Sequence, residues 1–354
     1  MVNKIKAAVI GASGYTGLEL IKILGRHNNA EPVFLTSRSN AGKKVGEVFP
    51  ASSIMKSIRD IKFSESMGKD DFLKTDILFL CLPPGQSMLF LKENLKYYKG
   101  KIVDLGADFR LDDHLVYEET YKSSHVLKDI LPEFTYGLCE INRKEIKKSD
   151  YVANPGCYPT SVILALAPLL KNSKLKISSI VIDSKSGVSG AGKKVSQDYI
   201  FLNIADNFKS YSPVFHRHIP EMEQELSKIK GESLKIVFTP HLLPIARGIF
   251  STIYLNIENN INDIEKEIEE NYKNFFKNEK FAVFTSKLIP EIKDVAGSNA
   301  IHVGYAYDKR ASTLKIFSVI DNILKGASGQ AVQNMNIMFG FNEDEGLNVY
   351  GINN

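Results

Sequence analysis

The chain has 354 residues, 44% of them hydrophobic and 24% charged, with a formal net charge of +4. That length exceeds one ordinary core, so two domains are expected, and the composition excludes a disordered chain. Interleaved basic and acidic residues give no basis for nucleic-acid binding, no apolar run reaches the ~20 residues of a membrane span, and three scattered cysteines suit neither a disulfide framework nor a zinc site.

In chain order, the N-terminal residues pass directly into a strand-like run, Ala7 to Ile10, leaving no room for a signal peptide. A glycine-rich turn follows, then apolar residues at helical spacing from Leu18 to Leu24. Further strands are expected at Val33–Leu35, Ile77–Leu82 and Ile102–Leu105. Continuous apolar strands alternating with helices predict an α/β domain on a parallel sheet. From about Tyr151 the strands alternate apolar and polar positions, as half-buried antiparallel strands do. They are expected at Ser179–Asp183, Leu234–Thr239, Ile249–Ile257, Ile301–Tyr307 and Leu314–Ile320, with a charged helix over Ile261–Phe275. The tail from Gly326 to Phe341 reads as helix again. The expected architecture is a Rossmann-type domain (residues 1–153 plus 322–354) and an α+β domain on a mixed, largely antiparallel sheet (154–321).

The turn Gly11-Ala12-Ser13-Gly14-Tyr15-Thr16-Gly17 lies between first strand and first helix, the context in which such glycines cradle a pyrophosphate. The bland alternative is a strand-to-helix turn that merely needs glycine. At the end of the second strand, Thr36-Ser37-Arg38-Ser39 offers hydroxyls and an arginine where NAD enzymes place an acid. Ser37 and Arg38 therefore suit a 2′-phosphate, so NADP (NADPH) is the expected cofactor. Arg110, after the strand that ends at Asp104, is a fork for a phosphate or carboxylate.

Cys157 follows a Pro-Gly turn in Asn154-Pro155-Gly156-Cys157 and precedes an apolar segment. A helix N-terminus there favours the nucleophilic thiolate, whereas Cys81 and Cys139 read as buried small residues. Ser186 to Gly192 is a second glycine-rich loop, in which Gly187 either borders a cofactor or substrate pocket or is simply flexible. His216-Arg217-His218-Ile219-Pro220-Glu221 opens a helix. His218 is the expected acid/base partner of the cysteine, with His216 the alternative.

The segments GASGYTG, DLGADFR, ANPGCYPT, SGVSGAG, HRHIPE, FTPHLLPIARGI and DNILKGASGQAVQNMN, spread from residue 11 to 336 in this order, closely resemble the N-acetyl-gamma-glutamyl-phosphate reductase family. Aspartate-semialdehyde dehydrogenase is a more distant likeness. The resemblance implies a step in arginine biosynthesis, in which Cys157 forms a thioester from an acyl phosphate and NADPH reduces it to the semialdehyde. It also implies that Arg110, Asn154 and Glu221 hold substrate, that Asn334 borders the nicotinamide, and that the enzyme is a homodimer or homotetramer; the sparse cysteines point to a reducing cytoplasm. Two departures from the family pattern, Gly106 and Cys139, lie away from this chemistry. A reductase of aspartyl or aminoadipyl phosphate is the near alternative. A nucleotide-sensing regulator that kept the fold is the remote one.

Overall fold

Alternating apolar strands and helices in the first half do form a parallel sheet. The computed structural model describes residues 4–193, 200–259 and 263–351. By internal packing the chain divides into two units: Met1–Pro155 with Ala327–Leu347, and Gly156–Gly326 with the segment from Asn348 onward. The changeovers thus fall at 155/156 and 326/327, not at the expected 153/154 and 321/322. Asn348 stays with the second unit because its carbonyl accepts from Asn299 N–H (2.9 Å) and its carboxamide donates to Gly297 O (3.2 Å).

In the first unit, β1 (Ile5–Ile10), β2 (Ala30–Thr36), β3 (Phe63–Ser64), β4 (Ile77–Leu80), β5 (Lys101–Asp104), β6 (Phe134–Tyr136) and β7 (Tyr151–Ala153) make one sheet. Its order is β3-β2-β1-β4-β5-β7-β6, and every pairing is parallel. β4 is buried along its whole length, because helices cover both faces of such a sheet. Leu78, Leu80, Ile102, Met88 and Tyr117 build one side of this core. The strand order reverses direction between β1 and β4, and ligands of such sheets bind at that switch point, beyond the carboxyl ends of the strands. The helix Gly329–Phe339 belongs to this unit, and ten of its eleven residues, Gly329 to Met338, are buried.

In the second unit, β8 (Ile177–Gly187), β9 (Lys209–Ser210), β10 (Val237–Leu243), β11 (Ile249–Ile257), β12 (Ala282–Ser286), β13 (Ile301–Asp308) and β14 (Thr313–Ile320) form a mixed sheet. The order is β12-β13-β14-β11-β8-β10-β9, and four of its six pairings are antiparallel. The helix Cys157–Asn172 packs on this sheet. Every residue from Tyr158 to Leu169 is buried, which explains its almost uniformly apolar sequence. The expected helix at Ile261–Phe275 is seen as Ile264–Phe276, capped by Asp263, and residues 261 and 262 lie outside the described ones. Its Ile268, Tyr272 and Phe276 face inward at four-residue intervals, and Tyr272 Oη donates to Ala165 O at 2.5 Å. Among the described residues, no helix is long and apolar enough to cross a membrane, and no side-chain cluster suits a metal ion.

Candidate active site

The glycine-rich turn owes its shape to two close approaches. Gly11 has φ of +81°, and a Cβ there would meet Cys81 O at 2.4 Å. Its N–H donates to Thr36 Oγ1 (3.1 Å) and Ala12 N–H to Thr36 O (2.9 Å), so the turn is stitched to the end of β2. Ser37 Oγ donates to Ser13 Oγ at 2.8 Å, bringing together two of the expected cofactor residues. The helix Tyr15–Leu24 begins after Gly14 with no side-chain cap and no acid in its first turn. Its positive end is therefore suited to an anion. Arg38 is exposed beside buried Ser37, and Thr36-Ser37-Arg38-Ser39 places no carboxylate at this strand end. The group that fits is a dinucleotide phosphate, with the arginine and serines suited to a 2′-phosphate. Replacing Gly11 by Ala forces an L-residue into the left-handed region and into a backbone oxygen. Fluorescence titration should show NADPH affinity falling by about tenfold or more, with stability lowered by about 1–3 kcal/mol.

Behind this turn lies a buried acidic pair. Asp104 and Asp108 are both fully buried. Asp108 accepts from Gly85 N–H (2.7 Å), Met88 N–H (3.0 Å) and Tyr117 Oη (2.9 Å). Asp104 Oδ1 accepts from Ser87 Oγ (2.7 Å) and Gly106 N–H (2.9 Å), while its Oδ2 has no partner. Burial first, then the neighbouring Asp108, push the Asp104 carboxyl up to about 7. Burial likewise pushes the Cys81 thiol well above its usual range, in keeping with an inert cysteine. Cys139 is buried too, and its thiol donates to Asn334 Oδ1 at 3.1 Å.

Three residues expected at the ligand site also brace the first unit. Arg110 Nε donates to Asn154 O (2.8 Å) and its Nη2 to Leu105 O (2.9 Å). Asn154 Nδ2 donates to Ala327 O at 3.2 Å, and its Oδ1 accepts from Asn334 at 3.1 Å. Asn334 also donates to Gly137 O at 2.9 Å, so both protons of its carboxamide are engaged at a fully buried position. These bonds fix the segment that runs into the cysteine.

In the second unit, Cys157 is the first residue of its helix and is half-buried. Gly156 N–H donates to Glu221 Oε1 (2.8 Å), a carboxyl that is itself buried. Glu221 sits in the first turn of the helix Ile219–Lys230, whose N-cap is His218. One hydrogen bond thus ties the start of the cysteine helix to the start of the histidine helix. Tyr158 packs edge-on against both His216 (5.5 Å between centroids) and His218 (6.0 Å). Its hydroxyl meets that of Tyr211 at 3.0 Å.

The two histidines differ. His216 Nδ1 accepts from His218 N–H (3.1 Å), which leaves the ring proton of a neutral imidazole on Nε2. Burial, helped by Arg217, brings His216 down to about 4. It is neutral near pH 7 and serves the loop. Gly187 lies at the end of β8 in this same unit, where its N–H donates to Gly248 O (2.9 Å). Tyr211 was unmarked in the sequence, and Thr36, Tyr158 and Gly326 stood out only as members of longer motifs, since their own roles depend on contacts distant along the chain. Gly326 is the sharpest case: a Cβ there would meet Cys157 Cβ at 2.8 Å. Gly326→Ala should displace Cys157, and if that cysteine acts as proposed below, lower kcat about tenfold or more, read by steady-state kinetics.

Both halves of the chain match models of the semialdehyde dehydrogenases: the NAD binding domain over residues 6–149 and the dimerisation domain over 157–322. Among curated relatives, N-acetyl-gamma-glutamyl-phosphate reductase of Pelotomaculum thermopropionicum is 47% identical over 344 residues, covering 97% of each chain. That of Thermoanaerobacter sp. is 46% identical, covering 98% of this chain and 99% of its own. The chain belongs to the N-acetyl-gamma-glutamyl-phosphate reductase family. Among solved structures, aspartate semialdehyde dehydrogenase II of Vibrio cholerae has the same fold, with a TM-score of 0.71 at 17% identity over 96% of this chain and 99% of its own. The Candida albicans aspartate semialdehyde dehydrogenase, solved with NADP, gives 0.67 at 16% identity over 95% and 99%.

Proposed function

We propose that this chain reduces N-acetyl-L-glutamyl 5-phosphate to N-acetyl-L-glutamate 5-semialdehyde, releasing phosphate, in arginine biosynthesis. The observation that carries the reading is Cys157 as the first residue of its helix, tied through Gly156 and Glu221 to the helix that His218 opens. The relatives' shared name supplies the substrate. Cys157 Sγ attacks the acyl carbon, the carbon–oxygen bond to phosphate breaks, and a thioester remains on the enzyme. His218 takes the thiol proton as Sγ attacks and returns a proton as the final adduct breaks down. His216 holds the backbone of that loop in place. NADPH, held by Gly11, Ser13, Gly14, Tyr15, Thr16, Gly17, Ser37 and Arg38, supplies the hydride that brings the thioester to the aldehyde level. Cys157 then leaves as the carbonyl re-forms. Arg110 and Asn154 support the segment before Cys157, so any hold they have on substrate comes on top of that work.

A homodimer or homotetramer is part of the same reading. The match to a dimerisation domain supports it. So does an outward sheet face on which Val181, Val237 and Tyr254 stand in register and exposed. The compartment proposed is the cytoplasm. The test is the reverse reaction: N-acetylglutamate semialdehyde, inorganic phosphate and NADP, followed at the reduced-nicotinamide band. Phosphate-dependent NADPH formation is expected. Activity with aspartate semialdehyde instead would keep the mechanism and replace the substrate, and silence with both would remove the reading.

A further inference from the structure

The sheet beneath the cysteine helix carries a row of three serines in a largely apolar floor. Ser251 of β11 lies opposite Ser184 of β8 and Ser318 of β14. On one side the next inward row is Ile253 with Ile182 and Ile316; on the other, Ile249 with Ile320 and Ser186. Above the serine row sits Ser161, one helical turn beyond Cys157. All four hydroxyls are fully buried.

Their bonds run in one direction. Ser184 Oγ donates to Ser251 Oγ at 2.8 Å, and Ser318 Oγ donates to the Ser161 carbonyl at 3.1 Å. Two contacts remain, Ser251 to Ser161 (3.1 Å) and Ser161 to Ser318 (2.9 Å). Each hydroxyl has one proton, and those of Ser184 and Ser318 are already placed. Ser251 therefore donates to Ser161, and Ser161 to Ser318. The chain is closed, and each proton has an acceptor.

An apolar floor alone would let the helix slide, since isoleucine rows repeat along the strands and hydrophobic contact has no direction. Moving Ser161 by one row, two strand residues or roughly 6.6 Å, would set its hydroxyl on isoleucine and leave buried hydroxyls without acceptors. β14 also leads on to Gly326, whose Cα lies against Cys157. Helix height on the sheet therefore sets where Cys157 stands against Gly326.

We infer that Ser161, Ser251 and Ser318 are positioning residues: their hydroxyl chain fixes the height of the Cys157 helix on the sheet and so the place of the nucleophile. Ser184 starts the chain but makes no bond to the helix. The inference rests on the proposed role of Cys157. The test replaces all four serines by Ala, which leaves no member of the chain behind, and compares this variant with Ser161→Ala, Ser318→Ala and Ser184→Ala. Thermal midpoints, kcat, KM and the rate of Cys157 alkylation by iodoacetamide across pH are measured for each. The expected result is a kcat tenfold or more lower in the quadruple, Ser161 and Ser318 variants, with KM within twofold and a changed alkylation profile. Ser184→Ala should stay within twofold of wild type in kcat. The quadruple variant should keep a thermal midpoint close to that of wild type.

Unchanged kcat and alkylation in the folded Ser161 and Ser318 variants would overturn the inference. So would losses that follow the drop in thermal midpoint equally at all three single positions. Should the quadruple variant fail to fold, the single variants decide alone. Failure of the underlying reading looks different: Cys157→Ser would then turn over like wild type, whatever the serine variants do.

Discussion

Cys157→Ser is expected to lower phosphate-dependent turnover by about 10³-fold or more while leaving NADPH affinity within twofold. An alcohol is a far weaker nucleophile than a thiolate near neutral pH, and an ester is a poorer intermediate than a thioester. The substitution removes little volume and leaves the Gly156 to Glu221 bond untouched, so folding should survive. Steady-state rates in the reverse direction, with fluorescence titration of NADPH, separate the two effects. Loss of cofactor binding along with turnover would mean a wider structural role for this residue. Retained turnover would remove covalent catalysis from the account.

The second large effect is one of stability. Asp104 is buried, faces Asp108 and has one oxygen without a partner. Its carboxyl titrates near 7 in the fold, against 3.8 as the ordinary value. A folded pKa raised in this way means that the native state holds its proton more tightly than the unfolded chain. Stability from this group is complete below about pH 4 and is lost as pH rises through 7. Asp104→Asn keeps an acceptor for Ser87 and Gly106 and stays neutral at every pH. The variant should therefore be more stable than wild type at pH 8, by on the order of 4 kcal/mol, with the gap closing towards pH 4–5. Denaturant unfolding at both pH values checks this, and a gap independent of pH would assign the effect to packing alone.

Periodicity made the two-sheet architecture legible because burial leaves distinct marks: unbroken apolar runs for the parallel sheet, alternation for the mixed one. β3, β6, β7, β9 and β12 escaped notice. Phe63–Ser64 and Tyr151–Ala153 are too short to show a period, and they are strands only because a neighbour pairs with them. The turn at Gly11 and the cysteine at a helix start were readable, since glycine and Pro-Gly act locally. Arg110, Asn154 and Asn334 were expected to touch ligand; whatever they bind, their bonds to Leu105, Ala327, Gly137 and one another brace the chain as well. A polar side chain bound to ligand and one bound to a distant carbonyl look alike in sequence. The sequence already put His218 ahead of His216 as the acid/base; the fold adds that His216 Nδ1 accepts from the His218 backbone N–H.

The division of the first unit bears on how the chain is made. Its sheet is drawn from residues before 155, while the helix Gly329–Phe339 emerges from the ribosome some 170 residues later. At synthesis rates of roughly 5–20 residues per second, the nascent sheet waits on the order of ten seconds or more. During that interval Gly137 O and Asn154 Oδ1 lack the carboxamide of Asn334, and His27 lacks that of Asn336, its partner at 2.9 Å. The complete nucleotide-binding unit is therefore a late product of translation, assembled only after every residue of the cysteine helix and its serine row has left the ribosome.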